Sequence, residues 1–184
     1  MPSKLWVVSE IYYPEETSTG YLLSRIAEGL AKNQPVSVLC GQPTYSARGT
    51  KAPKTEVHNG VNIERCSGTT FPKDNLPLRF VNALTISLSI FLKSLFRIKK
   101  GDVVLVVTNP PPLPFIAAVV CKLKWAKFLL LIHDVYPEVL VATGLSRENS
   151  MLCKVIASVN RWLYRQAARV IVLGRDMEQL AEGK

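Results

Sequence analysis

Between residues 5 and 173 the chain alternates short, unbroken apolar runs with stretches whose apolar residues recur at helical spacing. This alternation constrains the fold more than any other feature. Residues 5–8, 36–40, 103–107, 128–132 and 170–173 are β-branched and leucine runs without in-and-out alternation, the pattern of strands covered on both faces. Between them Leu22, Leu23, Ile26, Ala27 and Leu30 share one helical face, and the spacing predicts further helices over about 76–98, 115–125 and 151–168. Residues 42–75 are rich in turn formers and hold one more predicted strand, 61–65. Residues 174–184 open another helix. Strand, helix and strand repeated in this way predict an α/β fold built on a doubly wound parallel sheet. The 184 residues fit a single domain, and 48% apolar residues suffice for its core, which excludes a disordered chain or a disulfide-stapled miniprotein.

In such a sheet ligands bind at the carboxyl ends of the strands, so the loops that leave the strands are where chemistry is expected. The first of these, Ser9 to Gly20, carries Glu15, Glu16, Thr17, Ser18 and Thr19 into a helix start, where backbone N–H groups attract anions. A Thr/Ser helix cap alone explains part of it. The loop lacks the three-glycine dinucleotide fingerprint, and Cys40-Gly41-Gln42 stands where an acidic residue would bind a ribose, so a nicotinamide or flavin cofactor is not expected. No P-loop and no nucleophile elbow of the serine hydrolases is present. The second loop, Thr108-Asn109-Pro110-Pro111-Pro112-Leu113-Pro114, is a rigid strand exit whose prolines suit a helix start. At the third, His133-Asp134 follows Leu129-Leu130-Leu131-Ile132 and so stands at the rim of the crevice. The other histidine, His58, falls in a turn-rich stretch and reads as an exposed loop residue.

The net charge of +9 is unevenly spread: eight Lys/Arg stand against seven Asp/Glu before residue 76, and fifteen against seven after it. Such a basic surface meets phosphate-bearing partners. In the long helix, Val81, Leu84, Leu88, Phe91, Leu92 and Leu95 form the face expected to pack on the sheet. Arg79, Asn82, Ile86, Ile90, Lys93, Arg97 and Lys100 form the opposite face, a mix of basic and apolar groups suited to an anionic membrane surface. Nucleic acid is not expected as a partner, because few aromatics interleave the basic residues and no reading motif occurs.

Cys40, Cys66, Cys121 and Cys153 are scattered without metal-ligand spacing, which predicts four buried free thiols, a reducing compartment and no metal site. The apolar run at Leu5 to Val8 is too short for a signal-peptide core. Pro110, Pro111, Pro112 and Pro114 interrupt the uncharged stretch 103–121 that would otherwise be long enough to span a bilayer.

Four segments taken in order carry a family likeness: Ser9-Glu10-Ile11-Tyr12-Tyr13-Pro14-Glu15-Glu16-Thr17-Ser18-Thr19-Gly20, Thr108-Asn109-Pro110-Pro111, His133-Asp134-Val135-Tyr136-Pro137-Glu138 and Val170-Ile171-Val172-Leu173. They resemble the N-terminal, acceptor-side domain of GT-B glycosyltransferases of family 4, of the type that assembles bacterial cell-surface polysaccharide. The resemblance implies a Rossmann-like, doubly wound, mainly parallel sheet, half of a GT-B fold. It implies retaining transfer of a hexosyl-type sugar from a nucleotide diphosphate sugar to a glycan or lipid-linked acceptor, without metal or a further cofactor. By the same resemblance His133 lines the reaction centre as the catalytic residue, and Glu16, Thr17, Ser18, Thr19, Gly20, Asn109 and Asp134 bind substrate.

The family's second domain, which holds the nucleotide, has no counterpart in residues 1–184. The chain is therefore expected to be the N-terminal half, inactive without its own C-terminal domain. Lipid-linked acceptors would place it in the cytoplasm, peripherally on the inner face of the plasma membrane, with Arg79, Ile86, Ile90, Lys93, Arg97 and Lys100 as the membrane-binding set. The rival expectation is a stand-alone, non-catalytic module that binds a phosphorylated ligand or a protein partner.

Overall fold

A computed structural model describes residues 3–44, 49, 51–72, 74–144, 146–147, 149–175 and 177–178. The elements run β1 (Leu5–Val8), α1 (Ser18–Ala31), β2 (Val36–Cys40), β3 (Thr55–His58), β4 (Val61–Arg65), α2 (Leu76–Arg97), β5 (Val103–Val107), α3 (Leu113–Lys124), β6 (Lys127–Ile132), α4 (Glu138–Ala142), α5 (Met151–Gln166) and β7 (Arg169–Val172). The strands form one seven-stranded sheet in the order β3-β4-β2-β1-β5-β6-β7, parallel except for the β3–β4 pair. The doubly wound, mainly parallel α/β sheet expected from the sequence is therefore what the chain forms. The helix expected from residue 174 onward lies largely outside the described residues.

The chain builds outward from β1 to β4, then crosses back through α2 to place β5 on the other side of β1. The strand order reverses between β1 and β5, and at such a switch point the loops on either side part and open a crevice. Local chemistry fixes the helix starts that border it. Thr17 Oγ1 accepts the Gly20 N–H at 3.2 Å to cap α1, and Ser150 Oγ accepts the Cys153 N–H at 3.2 Å to cap α5. Gly20 packs closely in that first turn: a Cβ there would stand 2.6 Å from the Glu15 carbonyl oxygen.

Both sheet faces are covered. Leu23 and Ala27 of α1 pack with Val7, Val38, Ile63 and Leu105 on one face. On the other, Ile86 and Ile90 of α2, Leu113 and Val120 of α3 and Leu163 of α5 pack with Val8, Leu39, Val106 and Leu130. At the amino ends of the strands, buried Asp102 accepts from the Lys4 N–H, the Trp6 indole N–H and the Lys99 N–H, each at 3.0 Å. It ties β1 to the turn before β5. All four cysteines are free and buried, as expected.

The structure corrects three expectations. First, α2 is turned on its axis relative to the sequence reading: of the face expected to pack on the sheet, Phe91 and Leu95 meet the core, but Val81, Leu84, Leu88 and Leu92 are exposed. Ile86 and Ile90, expected at a membrane surface, are 5% and 1% exposed, whereas Leu88 and Phe96 are 55% and 83% exposed. The inward face carries small and polar residues, and Asn82 and Thr85 find partners in the segment after β4. The Asn82 side chain accepts the Phe71 N–H and donates to the Phe71 carbonyl, both at 3.0 Å, and Thr85 Oγ1 accepts the Thr69 N–H at 3.1 Å. The segment after β4 lies so close that a Cβ on Gly68 would stand 2.9 Å from the Ile86 Cβ. A face of Leu and Phe would not fit against backbone at that distance.

Second, Lys93 and Arg97 turn back toward the sheet edge, where both meet the Glu64 carboxylate, at 3.5 and 3.0 Å. Of the set assigned to the membrane, Arg79 and Lys100 remain exposed without such a carboxylate partner among the described residues.

Third, β3 and α4 were not expected. His58 is the last residue of β3 rather than a loop residue, and its ring stacks on Tyr13 at 3.7 Å between centroids. Asn59 and Gly60, both at positive φ (47° and 82°), make the tight turn into β4.

Candidate functional site

The carboxyl ends of β1, β5 and β6 bring together the residues singled out in the three strand-exit loops. Thr19, in the first turn of α1, reaches across the crevice so that its Oγ1 lies 3.3 Å from His133 Nδ1, with donor and acceptor set by the imidazole tautomer. The other ring nitrogen, Nε2, is enclosed and has no hydrogen-bond partner among the described residues. Burial lowers the His133 pKa from its ordinary value of 6.5, opposed by the neighbouring Asp134 charge. The ring is thus neutral near pH 7, with Nδ1 beside the Thr19 hydroxyl and Nε2 enclosed.

His133 is aimed by a residue to which sequence reasoning gave no role. Thr108, the first residue after β5, is buried, and its Oγ1 accepts the N–H of His133 at 3.0 Å and of Asp134 at 3.2 Å. One hydroxyl therefore fixes the start of the loop leaving β6. The signal was in the sequence, a Thr at a strand end opening the Asn-Pro-Pro segment, but its partners lie 25 and 26 residues away and only the sheet brings them together.

The remaining candidates separate by position. Thr17 spends its hydroxyl on the α1 cap, Gly20 is packed against Glu15, and Glu16 and Ser18 stand exposed on the same loop and first turn. Asn109 lines a groove of about 390 Å³ with Glu10, Arg79 and Tyr136. Asp134 lines an adjoining, mainly apolar cavity of about 340 Å³ between α3, α4 and α5. Glu10 and Tyr136 join Thr108 as site residues not assigned from sequence. The X-Pro peptides Tyr13–Pro14, Asn109–Pro110 and Tyr136–Pro137 are all cis, one in each of the three loops.

Among the described residues no cluster of His, Cys, Asp or Glu could hold a metal ion. Chemically the arrangement offers a neutral imidazole, a hydroxyl, an amide and carboxylates around an open crevice. Such groups can hydrogen-bond a polyhydroxylated ligand.

Residues 20–184 match the family model described as a glycosyl transferase 4-like domain. Over 185 residues the chain is 29% identical to a probable glycosyltransferase, WbjE, of Pseudomonas aeruginosa. That match covers 99% of this chain and 44% of the WbjE protein, so the chain spans less than half the length of this relative.

Proposed function

Because the chain belongs to the family of glycosyl transferase 4-like domains, we propose that it is the acceptor-side half of a sugar-nucleotide glycosyltransferase, one that transfers a hexosyl-type sugar with retention from a nucleotide diphosphate sugar to a lipid-linked glycan. The observation that carries this reading is the convergence of Thr19, Thr108 and His133 at the switch-point crevice. The neutral His133 ring, held beside Thr19, would line the site of the donor sugar, and Thr17 to Gly20 would lie against the sugar and its diphosphate. Asn109 and Asp134 would hold acceptor and donor hydroxyls. No metal and no cofactor beyond the donor is assigned a part.

The nucleotide itself would be held by a C-terminal domain, without which these residues would have no turnover. Apolar side chains left exposed on α5 and β7, among them Val159, Trp162, Val170 and Ile171, give such a partner a surface to cover.

We also propose a peripheral position on the cytoplasmic face of the plasma membrane, with contact residues different from those expected. Leu76, Phe80, Leu84, Leu88, Leu92 and Phe96 are all exposed and follow one another at four-residue intervals, a continuous row slanting around α2 for about 30 Å at 1.5 Å per residue. Lys99 and Lys100, just past the end of α2, and the exposed Trp125, whose carbonyl accepts the Gly101 N–H, stand at its far end. An apolar row edged by lysines and an indole suits the interface of an anionic bilayer.

The reading is tested by offering the complete protein radiolabelled nucleotide diphosphate sugars with a membrane extract as acceptor. Label passing into solvent-extractable lipid supports it. Binding of the nucleotide sugars with no transfer from any donor would contradict it and favour a non-catalytic binding module.

A further inference from the structure

The cavity of about 340 Å³ between α3, α4 and α5 differs in chemistry from the crevice it adjoins. The rings of Phe115, Tyr136 and Tyr164 and the aliphatic side chains of Leu140, Ile156 and Leu163 line it. One charged side chain stands in this lining, Asp134, and its carboxylate has no ion pair and no hydrogen bond among the described residues. The amide in the lining is already engaged, because Asn160 Nδ2 donates to the Tyr136 carbonyl at 2.8 Å. The local field is negative. Burial and then Asp134 push the Tyr136 hydroxyl above its ordinary pKa, and burial and then Glu138 do the same to Tyr164. Arg79, which pulls Tyr136 back, lines the neighbouring groove and not this cavity.

We propose that this cavity binds a hydrophobic organic ammonium ion, with its aromatic or apolar body among the rings and its charge at the Asp134 carboxylate. The walls remove the body from water, and the carboxylate and the nearby aromatic rings both attract the cation. An anion of the same shape meets Asp134 as a like charge. An uncharged one covers the carboxylate without giving it a partner, which costs the desolvation of a charge. A sugar finds few hydrogen-bonding groups on these walls. An apolar cavity of about 150 Å³ already takes one benzene ring, so this one has room for an indole with a short side chain. Pro111, Tyr136 and Leu140 also line the groove beside Asn109, which gives such a molecule a way in from the crevice. Binding does not rest on the glycosyl-transfer reading. Under that reading it takes Asp134 away from sugar hydroxyls, which makes the cavity an inhibitory site.

The test is calorimetric titration of the chain with tryptamine, set against tryptophol as the uncharged analogue, indole-3-acetate as the anion and ethylamine as the cation without a ring. Tryptamine is expected to bind at least about tenfold more tightly than any of the three. Asp134→Asn should bring tryptamine and tryptophol within about twofold of each other. Glu10→Gln, which removes the carboxylate of the neighbouring groove, should leave the tryptamine affinity within about twofold. A second readout is the His133 ring followed by ¹⁵N NMR. The Asp134 charge supports the protonated imidazole, so a cation seated on Asp134 should lower the His133 pKa further, while His58 on β3 keeps its own.

Asp134→Asn keeps the shape of the side chain and the backbone N–H bonded to Thr108, so the variant keeps the fold, which far-ultraviolet circular dichroism checks. Failure of tryptamine to bind, or equal binding of tryptophol, would overturn the proposal. So would an Asp134→Asn protein that still prefers the ammonium ion, a Glu10→Gln protein that loses it, or a His133 pKa unmoved by saturating tryptamine. Any of these results leaves the transfer assay, and the reading it tests, untouched.

Discussion

Thr108 Oγ1 lies 3.0 Å from the backbone nitrogen of His133, and it accepts the Asp134 N–H as well, so a hydroxyl at the end of β5 sets the direction in which the loop after β6 leaves the sheet. The catalytic candidate is aimed by a neighbouring strand rather than by its own.

Thr108→Val keeps the shape of the side chain and removes the acceptor, which strands two N–H donors and should destabilise the chain by about 1–3 kcal/mol. Thr108→Ser should restore most of this. A positioning role also requires a change at the imidazole. With only two histidines in the chain, the His133 ring is readily followed by ¹⁵N NMR. Its pKa should rise toward 6.5 in the Val variant and return in the Ser variant. Identical titration curves in all three proteins would mean that Thr108 holds the fold but does not aim the ring.

His133 also gives stability a pH dependence with a defined sign. Its folded-state pKa is lowered, so the unfolded chain binds the proton first as pH falls below 6.5. Stability owed to this group is complete above that pH and declines as the solution is acidified toward the folded-state value. Denaturant midpoints compared between pH 7.5 and 5.5 should fall less in His133→Gln than in the parent chain. An equal fall in both would show that other groups carry the acid sensitivity.

The thiols of Cys40 and Cys121 are pushed up to about 12 by burial, and that of Cys66 is raised for the same reason. These three should resist a thiol reagent such as dithionitrobenzoate at pH 8 in the native protein, and all four cysteines should react within the mixing time in guanidinium. Rapid native labelling of Cys40 or Cys121, located by peptide mapping, would contradict the packing described for the sheet core.

The apolar row on α2 predicts a particular pattern in vesicle sedimentation. Leu88→Asp with Leu92→Asp should abolish binding to anionic vesicles. Lys99→Glu with Lys100→Glu should weaken it by roughly tenfold or more, at about 1 kcal/mol per basic residue near the surface. Unchanged sedimentation of the Asp double variant would remove α2 from the membrane contact.

Much of the fold was legible because parallel strands covered on both faces leave unbroken apolar runs, and Val36–Cys40 and Val103–Val107 end where the sequence says. β3 was not legible: its residues alternate between exposed and half-buried at a sheet edge, so no apolar pattern marks it. The rotation of α2 escaped for a related reason. Periodicity finds the most apolar face, but Asn82, Thr85 and Gly68 make the other face the better fit to the sheet, and hydrogen bonds to residues 69 and 71 leave no trace in spacing. At the site, the strand-end rule put His133 and the Thr19 loop at the same end of the sheet, and the fold brings Thr19 Oγ1 within 3.3 Å of His133 Nδ1. Thr108 lies in the same rule's territory, yet its role depends on two backbone N–H groups that only the pairing of β5 with β6 supplies.

The central claim is that the neutral imidazole beside Thr19 contacts the donor sugar. It is tested most directly by steady-state release of nucleotide diphosphate from the complete protein, with His133→Ala set against His58→Ala. Loss of even one hydrogen bond to the reacting sugar corresponds to about tenfold in rate. The account predicts at least that loss in kcat/KM for His133→Ala and parent-like turnover for His58→Ala, whereas a His133→Ala enzyme as fast as the parent would contradict it.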